Sequence, residues 1–287
     1  MPYIVKDSLM SLILSIVGIV LLGSVPFMFQ GMAFQAGTYF DGVKELLNKL
    51  MHPSELMYFT ASGGGGQYSL FPDLWSIYSY SLTILFSAFF IALILALLFA
   101  IFIFSLPPRA TEKIRVFSFV FESIPDIMIA IGMQFFIIWF FKKTNILLFE
   151  IVSFSDQKTY FVPTFCLTVL PTLLILRILL LNMEDELGKL YVDTARSKGL
   201  SRFRILWRHV LPNTLLSVFH QSRNILWFML SNLLMVEYLF NIYGITTFVR
   251  ENGEPAIFTI SMILLFVPMF LFFTAGRILT YKWVGEK

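Results

Sequence analysis

Apolar residues fall into six long runs separated by polar stretches, near 8–29, 78–106, 116–141, 161–181, 215–240 and 257–283. A helix needs about 20 residues to cross the roughly 30 Å hydrocarbon layer of a bilayer. Each run therefore predicts a membrane-spanning helix. The connections differ in kind. Residues 30–77 form a long polar link holding Gly63-Gly64-Gly65-Gly66, a tract that reads as flexible, and a stretch at 41–51 with helical period that reads as a surface helix. Pro107-Pro108 ends the second run. Pro125 and Pro171 fall inside apolar runs, where they predict kinks whose freed carbonyls neighbouring helices satisfy.

The polar link at 182–213 predicts two short helices joined by a tight turn. Asn182 reads as a cap, with Glu184, Asp185 and Glu186 in the first turn, where the helix dipole favours acids. Leu187, Leu190, Tyr191, Thr194, Ala195 and Lys198 recur at helical spacing. Gly199 stands where a left-handed terminating residue belongs. Ser201 reads as the cap of a second helix to about Val210, and Pro212 as the opening of the next span. The small Ala195 and Gly199 suit close docking of another protein.

Composition supports the membrane reading. The chain is 57% hydrophobic and 14% charged, against roughly 45–50% and 25% in soluble domains. A net charge of +3 gives no case for nucleic acid. Cys166 is the single cysteine, so no intrachain disulfide is possible. With the N-terminus inside, the inner segments hold twelve Lys and Arg and the outer ones six, which places both termini in the cytoplasm. The first run has no small-residue cleavage pattern and is expected to be retained. His52, His209 and His220 lack the spacing of paired haem or metal ligands.

The spelling of the inner link carries a resemblance. Asp193-Thr194-Ala195, Gly199, His209 and Leu211-Pro212 resemble the signature of ABC importer membrane subunits, which is Glu-Ala-Ala, three residues, Gly, nine residues, Ile, one residue, Leu-Pro. Asp, Thr and His replace Glu, the first Ala and Ile. The run Tyr191–Leu200 resembles the peptide and nickel permease subfamily, whose form is close to Tyr-Val-x-Thr-Ala-Arg-Ala-Lys-Gly-Leu. Arg177, Asp185, Ser123-Ile124-Pro125 and Val236-Glu237-Tyr238-Leu239-Phe240 with Gly244 resemble further parts of that subfamily. The chain lacks its Pro-Gly-Asp after the first helix and its C-terminal Asp-Pro-Arg, and Tyr243 replaces a Pro.

The resemblance implies an all-α membrane protein of about six transmembrane helices with the type I ABC importer permease fold. Residues 1–77 would form a first span and a long extracytoplasmic loop, and 78–287 the five-helix permease core. Tyr191, Asp193, Thr194, Ala195, Lys198, Gly199, Leu200, Leu211 and Pro212 would couple to the ATPases. The partners implied are a second permease, favouring a heterodimer, two cytoplasmic ATP-binding subunits and an extracytoplasmic solute-binding protein, all at the cell membrane. The chain has no phosphate loop of its own. ATP and Mg would bind the partners, no cofactor or metal would bind this chain, and it would be no enzyme. The cargo would be oligopeptides or dipeptides, with nickel or metal chelates as the alternative. A carrier or channel is the reading from another class.

Ionisable groups inside spans are functional candidates. Glu122 and Asp126 are four apart on one face, as are His220, Arg223, Asn224 and Trp227. Glu122 and Arg223 would each lie about 10–14 Å from the inner side. Arg223 is expected to pair with Glu122 or Asp126 and to line the route or an inner gate; the alternative places both acids at the water interface. Glu237 is a candidate for an outer gate or a helix-end surface charge, and Arg177 is expected to snorkel and pack the coupling segment.

Overall fold

The computed structural model describes residues 2–30, 33–59, 66–153 and 157–285. Gly63, Gly64 and Gly65 of the glycine tract lie outside the described residues. The chain divides into two compact units, Met1–Leu82 with Tyr243–Lys287, and Thr83–Ile242.

In the first unit, α1 (Pro2–Gly23) runs against the last helix of the chain, Pro255–Gly285. Gly23 makes this approach possible: a Cβ there would sit 2.0 Å from Thr259 Oγ1. The expected surface helix is present as α2 (Tyr39–Met51), with Asp41 in its first turn and Leu46 fully buried. Lys49 near its end reaches Glu45 at 3.2 Å and Glu254 at 2.9 Å. Two short antiparallel ribbons flank it in the same connection, β1 (Phe29–Gln30) with β2 (Ala33–Phe34) before it, and β3 (Met57–Phe59) with β4 (Gln67–Ser69) after it. The Tyr58 hydroxyl donates to Asp73 at 2.8 Å. Its ring meets Phe248 edge-on at 5.2 Å.

α3 (Leu70–Ser105) is 36 residues long. Ala88, Ala92, Ala96 and Ala100 are fully buried at four-residue spacing, a stripe of small side chains along one helix face. α6 (Phe161–Leu187) comes close to it: Thr168 Oγ1 lies 3.5 Å from the Ala88 carbonyl. α6 is the most buried of the long apolar helices and the centre of the second unit.

The run at 116–141 is not one helix. α4 (Pro108–Glu122) ends at a turn, Ser123-Ile124-Pro125, and α5 (Asp126–Thr144) begins after it. Pro125 is extended at ψ 141°. It has no N–H to continue a ladder, and its ring drives the preceding residue out of the helical region. α4 carries Glu112, Lys113, Arg115 and Glu122 on its 15 residues and is too short and polar to cross a bilayer. The span is α5 alone.

The segment after α6 holds α7 (Leu190–Ser197), α8 (Arg202–Ile205) and α9 (Leu211–Leu239). α10 (Ile245–Glu251) and α11 (Pro255–Gly285) complete the chain. Among the described residues five helical stretches are long and apolar enough to cross a membrane: Lys6–Met28, Leu70–Phe104, Asp126–Thr144, Phe161–Leu187 and Pro255–Tyr281. The 29 residues of α9 would reach about 43 Å, but His220, Gln221, Arg223, Asn224 and Asn232 lower its hydropathy. With α9, the helices of membrane length are about six, as the pattern predicts.

Candidate functional site

The link between α6 and α9 forms two short helices and a closed turn, with different boundaries from those expected. Asn182 does not start a helix. α6 runs through it to Leu187, so Glu184, Asp185 and Glu186 lie at a C-terminal end. The chain turns at Gly188 and restarts from an extended Lys189.

α7 ends in a Schellman motif. The Leu200 N–H donates to the Ala195 carbonyl at 3.3 Å, and the Gly199 N–H to the Arg196 carbonyl at 2.9 Å. Gly199 is left-handed at φ +75°, a conformation that costs other residues about 1–2 kcal/mol. A Cβ at this glycine would meet nothing within 4 Å, so the backbone and not the space selects it. Ser201 then caps α8, its side chain accepting from the Arg204 N–H at 3.4 Å. Between α8 and α9 the ladder slips to a π turn over Leu206–Val210, with the Leu211 N–H on the Leu206 carbonyl. The slip precedes Pro212, which has no N–H to give.

A polar knot ties this link to the helices that carry it. The Glu186 carboxylate receives the Lys189 ammonium, the Tyr191 hydroxyl and the Asn213 amide. Asn213 also donates to the Tyr191 oxygen at 3.3 Å. Burial, with the Glu186 carboxylate beside it, raises the Tyr191 hydroxyl above the ordinary tyrosine range. The knot thus joins the end of α6, the start of α7 and the start of α9.

Two ion pairs bind α4 to α6. Arg115 Nη1 lies 3.1 Å from both oxygens of Glu184. Glu122 Oε2 accepts from Arg177 Nη1 at 3.0 Å. The partners are seven residues apart on both helices, two turns, and the order of charge is reversed between them. Arg177 also lies over the Phe119 ring at 5.2 Å. The expected pairing of Arg223 is therefore absent. Glu122 takes Arg177, Asp126 takes the Asn232 amide, and Arg223 is exposed with no ion pair among the described residues. Arg177 does not snorkel to the coupling segment, because the Glu122 carboxylate holds it.

The profile of the family described as binding-protein-dependent transport system inner membrane component matches residues 105–283. That stretch is more than half of the chain and contains α4 to α10, both ion pairs and the whole link between α6 and α9. The chain belongs to this family. It is also similar to the dipeptide transport system permease protein DppB of Bacillus subtilis (strain 168), at 30% identity over 108 residues. The match covers 38% of this chain and 35% of that protein, so the chain spans about a third of the length of that relative.

Within this transport-system membrane component the residues singled out from the sequence take different positions. Asp193, Thr194, Lys198 and Gly199 are exposed on the link between α6 and α9, and Tyr191, Leu200 and Pro212 are half-buried. Ala195 and Leu211 are buried. Ala195 is small for the chain's own packing and offers no docking surface. Leu190, Phe203 and Trp207, absent from the sequence-derived set, are the large apolar side chains exposed on the link, Leu190 at 85%. In the sequence Leu190 stands out only as part of the helical repeat of the link, and Phe203 and Trp207 do not stand out. His220 is exposed, its Nδ1 2.7 Å from the Leu216 carbonyl. Glu237 is fully buried near the end of α9, so it is not a surface charge. Glu184, Glu186, Asn213 and Arg115 were missed as partners; Arg115 meets Glu184 through the antiparallel register of α4 and α6, and Asn213 meets Glu186 through the approach of α9 to the end of α6, neither of which local spacing reveals.

Proposed function

We propose that this chain is a permease subunit of an ATP-driven importer fed by an external solute-binding protein, with small peptides as cargo. The observation that carries the reading is the closed turn between α7 and α8. It exposes Asp193, Thr194, Arg196 and Lys198, with Leu190, Phe203 and Trp207 beside them. It is anchored through Glu186, Tyr191 and Asn213 to the two long helices that flank it. A protein that pushes on such a turn moves both helices together. The peptide cargo is supported by the named relative and by the spelling of Tyr191–Leu200.

In this reading both termini are cytoplasmic, two ATPase subunits seat against the turn, and a second permease completes the pathway. ATP and Mg bind the ATPases, and this chain contributes no catalytic group. Asp193, Thr194, Lys198 and Gly199 form the contact, while Tyr191, Ala195, Leu200, Leu211 and Pro212 hold its shape. Asp126, His220, Arg223 and Glu237 remain candidates for the pathway or its gates.

The test is uptake of a labelled dipeptide into proteoliposomes that hold the complete complex, with its binding protein outside and ATP supplied to the ATPases. The expected result is uptake that needs both. Uptake that persists without ATP would make the chain a carrier or channel.

A further inference from the structure

The one buried carboxylate oxygen that accepts no hydrogen bond among the described residues is Glu122 Oε1. It lines a cavity of about 250 Å³ with Arg115, Ser118, Phe119, Arg177 and Leu181. We propose that this cavity is a binding site for a primary ammonium group carried by the cargo, a substrate class that rests on the importer reading above.

Three observations lead there. A carboxylate offers about four acceptor positions, and Glu122 uses one, on a single arginine nitrogen. The Glu122 side chain is 10% exposed and its counterion Arg177 is 49% exposed. The negative charge is therefore buried more deeply than the positive charge that balances it, and water screens the arginine more than the acid. Arg115 is already held by both oxygens of Glu184, each partner also half-exposed. The unmet demand in the cavity is for an N–H donor on Glu122 Oε1, and an ammonium brings three.

The walls fix the size and the remainder of the ligand. Val116, Phe119, Leu180 and Leu181 are apolar, and Arg177 already covers a face of the Phe119 ring, so the carboxylate is the group left to hold an ammonium. Pockets for whole small ligands run from about 300 to 1,000 Å³. This cavity is below that range and suits the amino-terminal residue of a chain, with the rest left outside. Leaving a buried acceptor atom without a hydrogen bond is costly, so the ammonium would complete a set that Arg177 leaves half made.

The first experiment uses the purified complex in nanodiscs, without binding protein. Its melting temperature is measured with n-propylammonium chloride and with tetramethylammonium chloride, a cation that has no N–H to donate. The site predicts a rise of several degrees with the first salt and none with the second. Glu122→Gln removes the rise. Leu181→Trp, which fills the cavity without touching the carboxylate, removes it as well and serves if Glu122→Gln folds poorly. Equal responses to both salts, or a rise that survives either substitution, overturns the site.

The second experiment compares uptake of Ala-Ala with N-acetyl-Ala-Ala by the complete importer. The binding protein is the same for wild type and variant, so its own preference cancels. Glu122→Gln is expected to lower the ratio of free to blocked peptide about tenfold. An unchanged ratio, with peptide still imported, overturns the ammonium proposal and leaves the importer reading intact. An ammonium-specific melting shift in a complex that imports no peptide overturns the peptide reading and leaves the site intact.

Discussion

Two segments that depart from plain membrane-spanning helix do so by different physics. The link from Gly188 to Val210 is polar and defined residue by residue. A left-handed glycine, a serine cap and a proline set its turns. The segment from Pro108 to Pro125 is set by its partner. α4 owes its position to Arg115 and Glu122, whose counterparts lie on α6. The first kind of structure is local and can be changed one residue at a time. The second is relational, and changing one member strands the other.

That contrast predicts a ranking of effects. Arg177→Ala is the largest, because it leaves Glu122 buried without its cation. Breaking a buried pair costs about 3–5 kcal/mol. With Arg177 half-exposed the cost here is about 2–3 kcal/mol, read as a lower melting temperature of the purified complex. Adding Glu122→Ala recovers most of it. If the double variant is as unstable as the sum of its parts, the relational account of α4 fails.

Gly199→Val comes next, at about 1–2 kcal/mol for a branched residue at positive φ. Here the loss is local, so melting falls modestly while the ATPases dissociate from the complex. Co-purification from cells measures it, and retained ATPases would show that the turn geometry is not what they contact. Tyr191→Phe removes the hydroxyl from the Glu186 knot, at about 1 kcal/mol. It should slow uptake while leaving ATPase recovery unchanged, because Tyr191 faces inward. The smallest effect belongs to Arg223. With no ion pair to either acid, Arg223→Ala and Glu122→Ala should add to within about 0.3–0.5 kcal/mol in melting. A larger coupling would restore the pairing expected from the sequence.

The same contrast explains what could be read in advance. The helical membrane architecture is written in hydropathy, since lipid forces backbone groups to bond within a segment. The α7–α8 turn is written in residues whose conformational preferences act within a few positions. Gly199 and Ser201 could be placed from the sequence for that reason. The start of the link could not. Asn182 and the acids after it look like a helix beginning, yet they continue α6, where Glu184 meets Arg115 and Glu186 meets Tyr191 and Asn213. The break at Ser123-Ile124-Pro125 was hidden by apolar neighbours on both sides, which made two helices look like one. The pairing of Glu122 was misread because Arg177, near the inner end of its run, was assigned to the coupling segment, which left Arg223 at the depth of the acid. Only the antiparallel packing of α4 on α6 chooses Arg177.

The central claim is that the turn at Gly199 meets an ATPase. Cys166 is the chain's single cysteine and is buried, so Thr194→Cys places one reactive thiol on the exposed face of α7. A short bifunctional cross-linker with thiol and amine ends is applied to the complex, with and without ATP. An adduct between this chain and an ATPase subunit, changing in yield with nucleotide, is the predicted result. An intact complex that gives no such adduct in either state would contradict the account.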